Sequence, residues 1–436
     1  DIIFTSKAGH AKNLCNLVKN LQVNEGWNLA LFVKKFGGSS VASPEKMRHI
    51  AETGLKKIKN RKTALLLWCR PMGDSTDDLL HLARQVSPRH YGREMDMLLT
   101  TGEQVSVALM AMTFIEMGVP AVSMTGAQAG IRVSGSFGKG CIREIHPERI
   151  FHALEEGKVV IVAGFQGETE EGDLITLGRG GSDTTAVALA GALKADMCEI
   201  YTDVDGIYSA DPRCVPDAVK MKDITYMEML EMARLGAGVM QPRSVEMGSR
   251  YQIPIHVRST FTDDEGTVIR EKILTEGSKY MITGVAQDAD TAKVAVLGVK
   301  NQPGVAHMLF SALAESHIVV DMIVQSVREI HDDKTDMIFT ISRNDLDDTR
   351  EVLCRLQAEG RISDVVYNDK VAKVSIVGAG MLGSPGAAAE MFGALGDAGI
   401  NIDIISTSEI SISCLIGEKD MTKAVRAIHA RFFAGH

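Results

Sequence analysis

Cysteine does little organising work in this chain of 436 residues. The seven cysteines, Cys15, Cys69, Cys141, Cys198, Cys214, Cys354 and Cys414, are odd in number and form no Cys-x-x-Cys pair. A disulfide framework or thiolate zinc site is thereby excluded, and a reducing cytoplasm is the simple setting. Positive charge is not in excess: 47 Lys and Arg face 56 Asp and Glu, a net charge of -9. A nucleic-acid binder would show a basic face, and a membrane-surface protein a polybasic patch. Small anionic substrates, bound by local charge, stay open. No apolar run approaches the ~18 residues that span a bilayer. The twelve histidines show neither metal-ligand spacing nor a serine–histidine–acid pattern.

Apolar residues are plentiful, at 45% of the chain, and support sizeable cores. At about 150 residues per domain the length suggests about three domains. Residues 1–28 fit poorly with the rest. They read as a frayed extension or an extra surface helix rather than a transit peptide, since Asp1 and Glu25 are acidic and arginine is absent.

Apolar runs at 29–36, 63–68, 119–124, 159–165 and 197–202 read as strands. Helical stretches at 44–59, 76–85 and 184–193 alternate with them. That alternation predicts βαβ units and a largely parallel sheet. The polar, turn-rich stretch STFTDDEGTVI marks a boundary within 258–284. Beyond it the chain repeats itself: residues 292–326 match 372–408, with Lys293 opposite Lys373, Phe310 opposite Phe392 and Asp321 opposite Asp403. Each copy reads strand, Pro-Gly loop, amphipathic helix, strand. Two copies are too few for a solenoid and predict a pair of small α/β modules packed together.

Four stretches carry chemistry. KKFGGSS is neither a Walker A loop nor Gly-x-Gly-x-x-Gly. Its glycines between a strand and a helix make either a simple turn or an anion cradle beside Lys35. TTGEQVSVALM places Glu103 at the start of a helix. There it is either a first-turn acid favoured by the dipole or a carboxylate for a substrate ammonium. TLGRGGSDTTAVALAGAL sets Arg179, Gly180 and Gly181 ahead of Ser182 and Asp183. Either of the last two can be an N-cap, but capping does not require an arginine beside bare backbone amides, which suits a carboxylate or phosphate. CEIYTDVDGIYSADPR opens a buried strand into an acidic loop. Its glycine comes too early for an EF-hand, so a nucleotide pocket is the better reading. Tyr208 would face a base, Asp203 a ribose or metal-phosphate, and Arg213 a phosphate.

Together and in this order, KFGGSSVAS, MGDSTDDLL, REMDMLLTTGEQVS, GRGGSDTTAVALA and TDVDGIYSADPR resemble the signatures of the aspartokinases, of the amino acid kinase family. The resemblance runs from about residue 29 to the end. It implies an α/β fold: a three-layer αβα kinase domain over 29–260, then two ACT-type βαββαβ modules over 280–365 and 366–436, interleaved with each other. It implies transfer of the ATP γ-phosphoryl group to the side-chain carboxylate of L-aspartate, with Mg2+ carried by the nucleotide and no resident metal. Lys35 and Asp183 would be catalytic. Thr76, Glu103, Arg179, Gly180, Gly181 and Ser182 would bind aspartate. Lys35, Phe36, Gly37, Gly38, Ser39, Thr202, Asp203, Tyr208, Asp211 and Arg213 would bind the nucleotide. Asp288, Asn401, Ile402, Ser408 and Glu409 would contact effector amino acids, lysine or threonine, and the modules would pair subunits into a homodimer or larger.

The chain departs from the family pattern at Arg70 and Pro71, where small residues are usual, and at Val133, Cys141, Gly238 and Val319. These departures motivate two alternatives: a non-catalytic amino-acid sensor with working ACT modules, and a kinase for another small carboxylate. No nucleic-acid or membrane partner is expected.

Overall fold

A computed structural model describes residues 30–61, 64–69, 71–73, 75–87, 92–178, 181–272, 282–326, 334–381 and 386–433. Residues 1–28, Arg70, Arg179 and Gly180 lie outside that set. The strands are β1 (Leu31–Phe36), β2 (Ala64–Cys69), β3 (Ala121–Met124), β4 (Ile131–Ser134), β5 (Cys141–Ile145), β6 (Val159–Ala163), β7 (Gln166–Glu168), β8 (Leu174–Thr176), β9 (Met197–Thr202), β10 (Asp223–Thr225), β11 (Ile255–Ser259), β12 (Thr267–Arg270), β13 (Gly284–Lys300), β14 (Val320–Gln325), β15 (Lys334–Ile341), β16 (Asp364–Val377), β17 (Ile404–Thr407) and β18 (Ser411–Gly417). The helices are α1 (Pro44–Arg61), α2 (Ser75–Val86), α3 (Gly92–Glu116), α4 (Glu148–Glu155), α5 (Gly181–Leu193), α6 (Tyr226–Arg234), α7 (Pro242–Tyr251), α8 (Val305–Glu315), α9 (Leu346–Ala358), α10 (Ala387–Asp397) and α11 (Met421–Phe433).

The chain folds into two compact units. The first holds the described residues up to Ile207, Lys220–Leu230 and the chain from Val239 through β12. Its main sheet has the order β10-β12-β11-β9-β1-β2-β6-β3. Strands β3, β6, β2, β1, β9 and β11 are mutually parallel, and β12 runs antiparallel to β11. On one face, Met47 and Ile50 of α1 and Val107, Met110 and Phe114 of α3 pack on Phe36, Ile161 and Tyr201. On the other face lies α5, almost wholly buried and built of alanine, leucine and valine. Helix α7 packs beside it so closely that a Cβ on Gly191 would stand 2.7 Å from the Tyr251 ring. Burial on both faces explains the near-continuous apolar strands, β6 being buried at every position. A smaller sheet, β5-β4-β7-β8, completes this unit. Helix α3 is long and apolar enough to cross a bilayer, but its buried face carries Asp96 and Glu103 and packs on the sheet.

The second unit holds Tyr208–Val219, Glu231–Gly238 and the described residues from Ile282 on. Its six-stranded sheet has the order β14-β15-β13-β16-β18-β17. The two modules interleave through β13 and β16. The N-terminal half of β13 pairs with the C-terminal half of β16, and the remaining halves pair with each other. One core joins Val294, Val296, Leu309 and Leu313 to Phe339 and Leu353. The other joins Val285, Val374 and Ile376 to Met391, Leu395, Ile428 and Phe432. The first module therefore reads β13-α8-β14-β15-α9-β16. The second reads β16-α10-β17-β18-α11, with its fourth strand supplied by the start of β13. Ala210 and Val215 also enter this second core, so part of the acidic-loop motif folds with the repeat.

Candidate functional site

Strand β1 lies between β9 and β2 and is parallel to both. The chain passes to one neighbour at once and returns to the other much later, which makes the carboxyl ends of β1 and β9 a switch point. Doubly wound sheets bind ligands in that crevice. Here β1 runs into Gly37, which caps a single 3-10 turn over Gly38–Val41 before α1. The two glycines are not equivalent. A Cβ on Gly38 would stand 2.9 Å from the Pro71 carbonyl oxygen and 3.1 Å from that of Gly73, whereas one on Gly37 meets nothing closer than 3.8 Å. The Gly73 N–H donates to the Gly38 oxygen at 3.1 Å and holds the two turns together.

A cavity of about 270 Å³ opens there. It brings together Lys35, Gly37, Gly38, Ser39, Thr76, Thr202 and Asp203, with Pro71 and Gly73 as further walls. The Lys35 Nζ lies 2.7 Å from Asp183 Oδ1. Asp183 sits in the first turn of α5, where the helix dipole favours a carboxylate. Ser182 beside it is buried. The Thr202 hydroxyl donates to Asp203 at 2.9 Å, and the Thr260 N–H fixes the Thr202 carbonyl at 3.1 Å.

Alternation along β1 sends Phe36 to the face opposite Lys35. Its ring stacks on Tyr201 at 4.7 Å in the core rather than facing the cavity. Lys34 points the same way and pairs with buried Glu199 at 2.8 Å, which also accepts from the Tyr201 hydroxyl at 3.0 Å. Burial, with the Glu199 charge second, pushes the Tyr201 phenol well above its usual range. Burial likewise pushes the Cys198 thiol up, so it stays an unreactive packing group.

Glu103 does not begin a helix. It lies in the middle of α3 and is 2% exposed, so the dipole-stabilised first-turn reading is incorrect. The preceding Gly102 lies inside the helix and admits Pro71: an added Cβ would stand 3.3 Å from the Pro71 ring. Glu103 thus follows directly on the helix position that touches the cavity wall. One organising residue escaped the sequence reading. Asp96, 1% exposed, accepts from the Gly138 N–H at 2.8 Å, the Thr176 N–H at 3.0 Å and the Thr176 hydroxyl at 2.7 Å. It ties the helix of Glu103 to the strand that leads into Gly181–Asp183. A buried acid among the apolar residues of REMDMLL was its only sequence signal.

Tyr208, Asp211 and Arg213 belong to the second unit. Arg213 embraces Asp211 through Nε at 3.0 Å and Nη2 at 2.8 Å, and this pairing holds the carboxyl below its usual range. Of the candidate effector residues, Asn401, Ile402, Ser408 and Glu409 flank the edge strand β17, where Ile402 packs on the second module's core. Ser408 accepts from the Ser411 N–H at 3.0 Å. Asp288 lies on β13, in register with Lys373.

The amino acid kinase family model matches residues 30–259, and an ACT domain model matches 294–356 and 374–432. An aspartokinase of Mycolicibacterium smegmatis is 49% identical over 93% of this chain and 97% of its own length. One from Corynebacterium glutamicum is 48% identical over the same shares. The chain belongs to the aspartokinases. Among solved structures, E. coli aspartokinase III in complex with aspartate and ADP is 25% identical, with a TM-score of 0.75 over 92% of this chain and all of that one. The same enzyme with lysine and aspartate gives a TM-score of 0.69. Against the aspartokinase pattern, Pro71 is buried in the cavity wall, Val133 is buried in β4, Cys141 is exposed on β5, and Val319 is 75% exposed. An added Cβ at Gly238 would meet nothing within 4 Å.

Proposed function

We propose that this chain transfers the γ-phosphoryl group of ATP to the side-chain carboxylate of L-aspartate, giving 4-phospho-L-aspartate, under feedback control through its ACT modules. The observation that carries the reading is the Lys35–Asp183 pair at the glycine-walled crevice. Phosphoryl transfer needs alignment and neutralisation of charge spread over the moving group's oxygens. Gly37, Gly38 and Ser39 offer a close backbone approach, and Lys35 supplies the cation. Asp183 orients that ammonium and is the acid best placed to organise the reacting groups. Thr76, Glu103, Arg179 and Ser182 are assigned to aspartate, Glu103 meeting its ammonium and Arg179 its α-carboxylate. Thr202 and Asp203, which line the crevice, are assigned to the nucleotide, whereas the other candidates for it, Tyr208, Asp211 and Arg213, fold with the second unit.

Among the described residues no three His, Cys, Asp or Glu side chains converge as a metal site. Mg2+ is assigned as a companion of the triphosphate, keeping several waters. Lysine or threonine is the effector class, bound around Asn401, Ile402, Ser408, Glu409 and Asp288. A cytoplasmic homo-oligomer is the expected setting.

The test is the initial rate of aspartyl hydroxamate formation from ATP and aspartate, with and without lysine and threonine. Lys35→Met keeps the buried stem and removes the charge. Its kcat should fall by about a hundredfold or more, the scale of losing one charge-stabilising donor, with an unchanged circular dichroism spectrum. An inactive wild type that still binds lysine or threonine calorimetrically would instead make the chain a sensor.

A further inference from the structure

The first unit contains a second, larger cavity, of about 430 Å³, that shares no lining residue with the phosphoryl crevice. Its walls come from β5, the start of α5 and one side of α7. Four of the lining residues are charged: Arg143, Arg243 and Arg250 against Glu246, a local excess of two positive charges. We propose that this cavity binds a small organic polyanion, a molecule bearing two or more carboxylate or phosphate groups.

Three features support that chemistry. The arginines converge on a concave surface, and Arg250 also lies over the Tyr251 ring, 5.9 Å from its centroid. Among the described residues neither Arg243 nor Arg250 has a carboxylate within ion-pair distance, and Arg143 spends only its Nε, on the Ser134 hydroxyl. Guanidinium groups left open in this way suit bidentate capture of planar oxyanions. Second, Arg243 stands in the first turn of α7, a helix with no acid there. A cation at that end opposes the helix dipole, so an arriving anion is favoured by both the arginine and the positive end of the helix. Third, Arg243 and Arg250 lie two turns apart along one side of α7, about 10 Å along the axis. That spacing lets two acidic groups of one ligand be held at once, with Glu246 between them to repel a ligand charged throughout its length.

Cys141 also lines the cavity and is exposed, which provides a reporter independent of turnover. Cys354, exposed on the second unit, is the internal reference. The full chain is alkylated with neutral iodoacetamide at constant ionic strength, and each thiol is followed by peptide mass spectrometry. The probes are citrate and inorganic pyrophosphate, with sodium chloride as control. At a probe concentration about ten times its Kd, modification of Cys141 should slow about tenfold, as simple occupancy requires. Cys354 should react at its usual rate. Protection by one probe alone identifies carboxylate or phosphate as the ligand class, and protection by both means that charge number suffices. The Arg243→Gln/Arg250→Gln double variant should lose the protection and keep its uninhibited rate of phosphoryl transfer. Failure of both probes to slow Cys141, or equal protection in the double variant, overturns the proposal. The aspartate kinase reading rests on the Lys35–Asp183 pair in the other cavity and is tested by the hydroxamate assay, although Gly181, assigned to aspartate, also lines this cavity.

Discussion

Lys293 and Asp403 form an ion pair at 2.5 Å although 110 residues separate them. Their counterparts in the repeat do the same in reverse: Lys373 pairs with Asp321 at 2.5 Å. Each module's lysine therefore meets the other module's aspartate. Strands three places apart in a flat sheet would lie roughly 14 Å apart, beyond the reach of a lysine, so the six-stranded sheet must curl to bring its edges over β13 and β16. The small shared cluster of Met322, Val371, Ile404 and Leu415 sits where that curl closes.

The two pairs should differ in strength. The Lys373 side chain is 4% exposed, with Asp288 as a second acid at 4.0 Å, whereas Lys293 is 24% exposed. A double-mutant cycle with Lys373→Met and Asp321→Asn should give a coupling of about 1–2 kcal/mol. This is below the ~3–5 of fully buried pairs because Asp321 remains half in solvent. The Lys293→Met/Asp403→Asn cycle should give about 0.5–1 kcal/mol. Urea unfolding of the regulatory unit measures both, and equal couplings would show that burial does not set their strength.

Gly38 and Gly37 should respond oppositely to one added methyl group. In Gly38→Ala the new Cβ meets two backbone carbonyl oxygens, at 2.9 and 3.1 Å, neither of which can rotate away. The 71–73 turn must shift, a strain of about 1–3 kcal/mol that falls on the cavity wall. The variant should lose about tenfold or more in kcat/KM for ATP. Gly37→Ala meets only ordinary contacts at 3.8 Å and should stay within about threefold of wild type. Similar kinetics in the two variants would remove the close approach at Gly38 as a requirement of the site.

Periodicity and turn chemistry made much of this legible from residues alone. The strand at β1, the glycines after it and the repeat all show locally, and the sheet is largely parallel as the alternation of strands and helices requires. The misreadings share one cause, tertiary context overriding a local signal. Local sequence sets Glu103 at the start of a helix, yet α3 runs on through Gly102, where Pro71 packs, although glycine disfavours helix interiors. The polar QDAD stretch lies within β13. It is one strand shared by two modules, its charges exposed where the pairing register shifts between Asp288 and Lys293. Lys35–Asp183 and Asp96–Thr176 join residues far apart in sequence, and no local pattern encodes which distant partner a buried charge will find.

Asp96 offers a graded test of that last point. Asp96→Ala strands the Gly138 and Thr176 donors in a buried position, and each buried unsatisfied group costs about 1–3 kcal/mol. Asp96→Asn can keep its oxygen on the two backbone N–H groups and turn its amide toward the Thr176 hydroxyl, which can accept. Its loss should be about 1 kcal/mol. In both variants KM for aspartate should rise more than kcat falls, because Asp96 touches no reacting group and acts by holding α3 to β8. A fall in kcat with KM unchanged would place Asp96 in the chemistry instead.

His429 makes the regulatory unit sensitive to acid. Its Nε2 lies 2.9 Å from the Ser209 hydroxyl, and its ring stacks on Phe433 at 4.6 Å. Ser209 Oγ already accepts from the Val219 N–H at 2.8 Å, so its proton is free to donate to an unprotonated Nε2. Burial pushes the imidazole pKa down, against a weaker upward pull from Asp217. A histidine whose folded pKa lies below its unfolded value of about 6.5 binds fewer protons folded than unfolded within that window. Its contribution to stability is therefore full above about pH 6.5 and declines as pH falls toward the folded pKa, by no more than about 1.4 kcal/mol per pH unit for one proton. Between about pH 7.5 and 5.5 the urea midpoint of the regulatory transition should drop in the wild type and stay nearly level in His429→Asn. Parallel pH profiles in the two proteins would show that the buried imidazole is already charged when folded, and that the Ser209 hydroxyl accepts rather than donates.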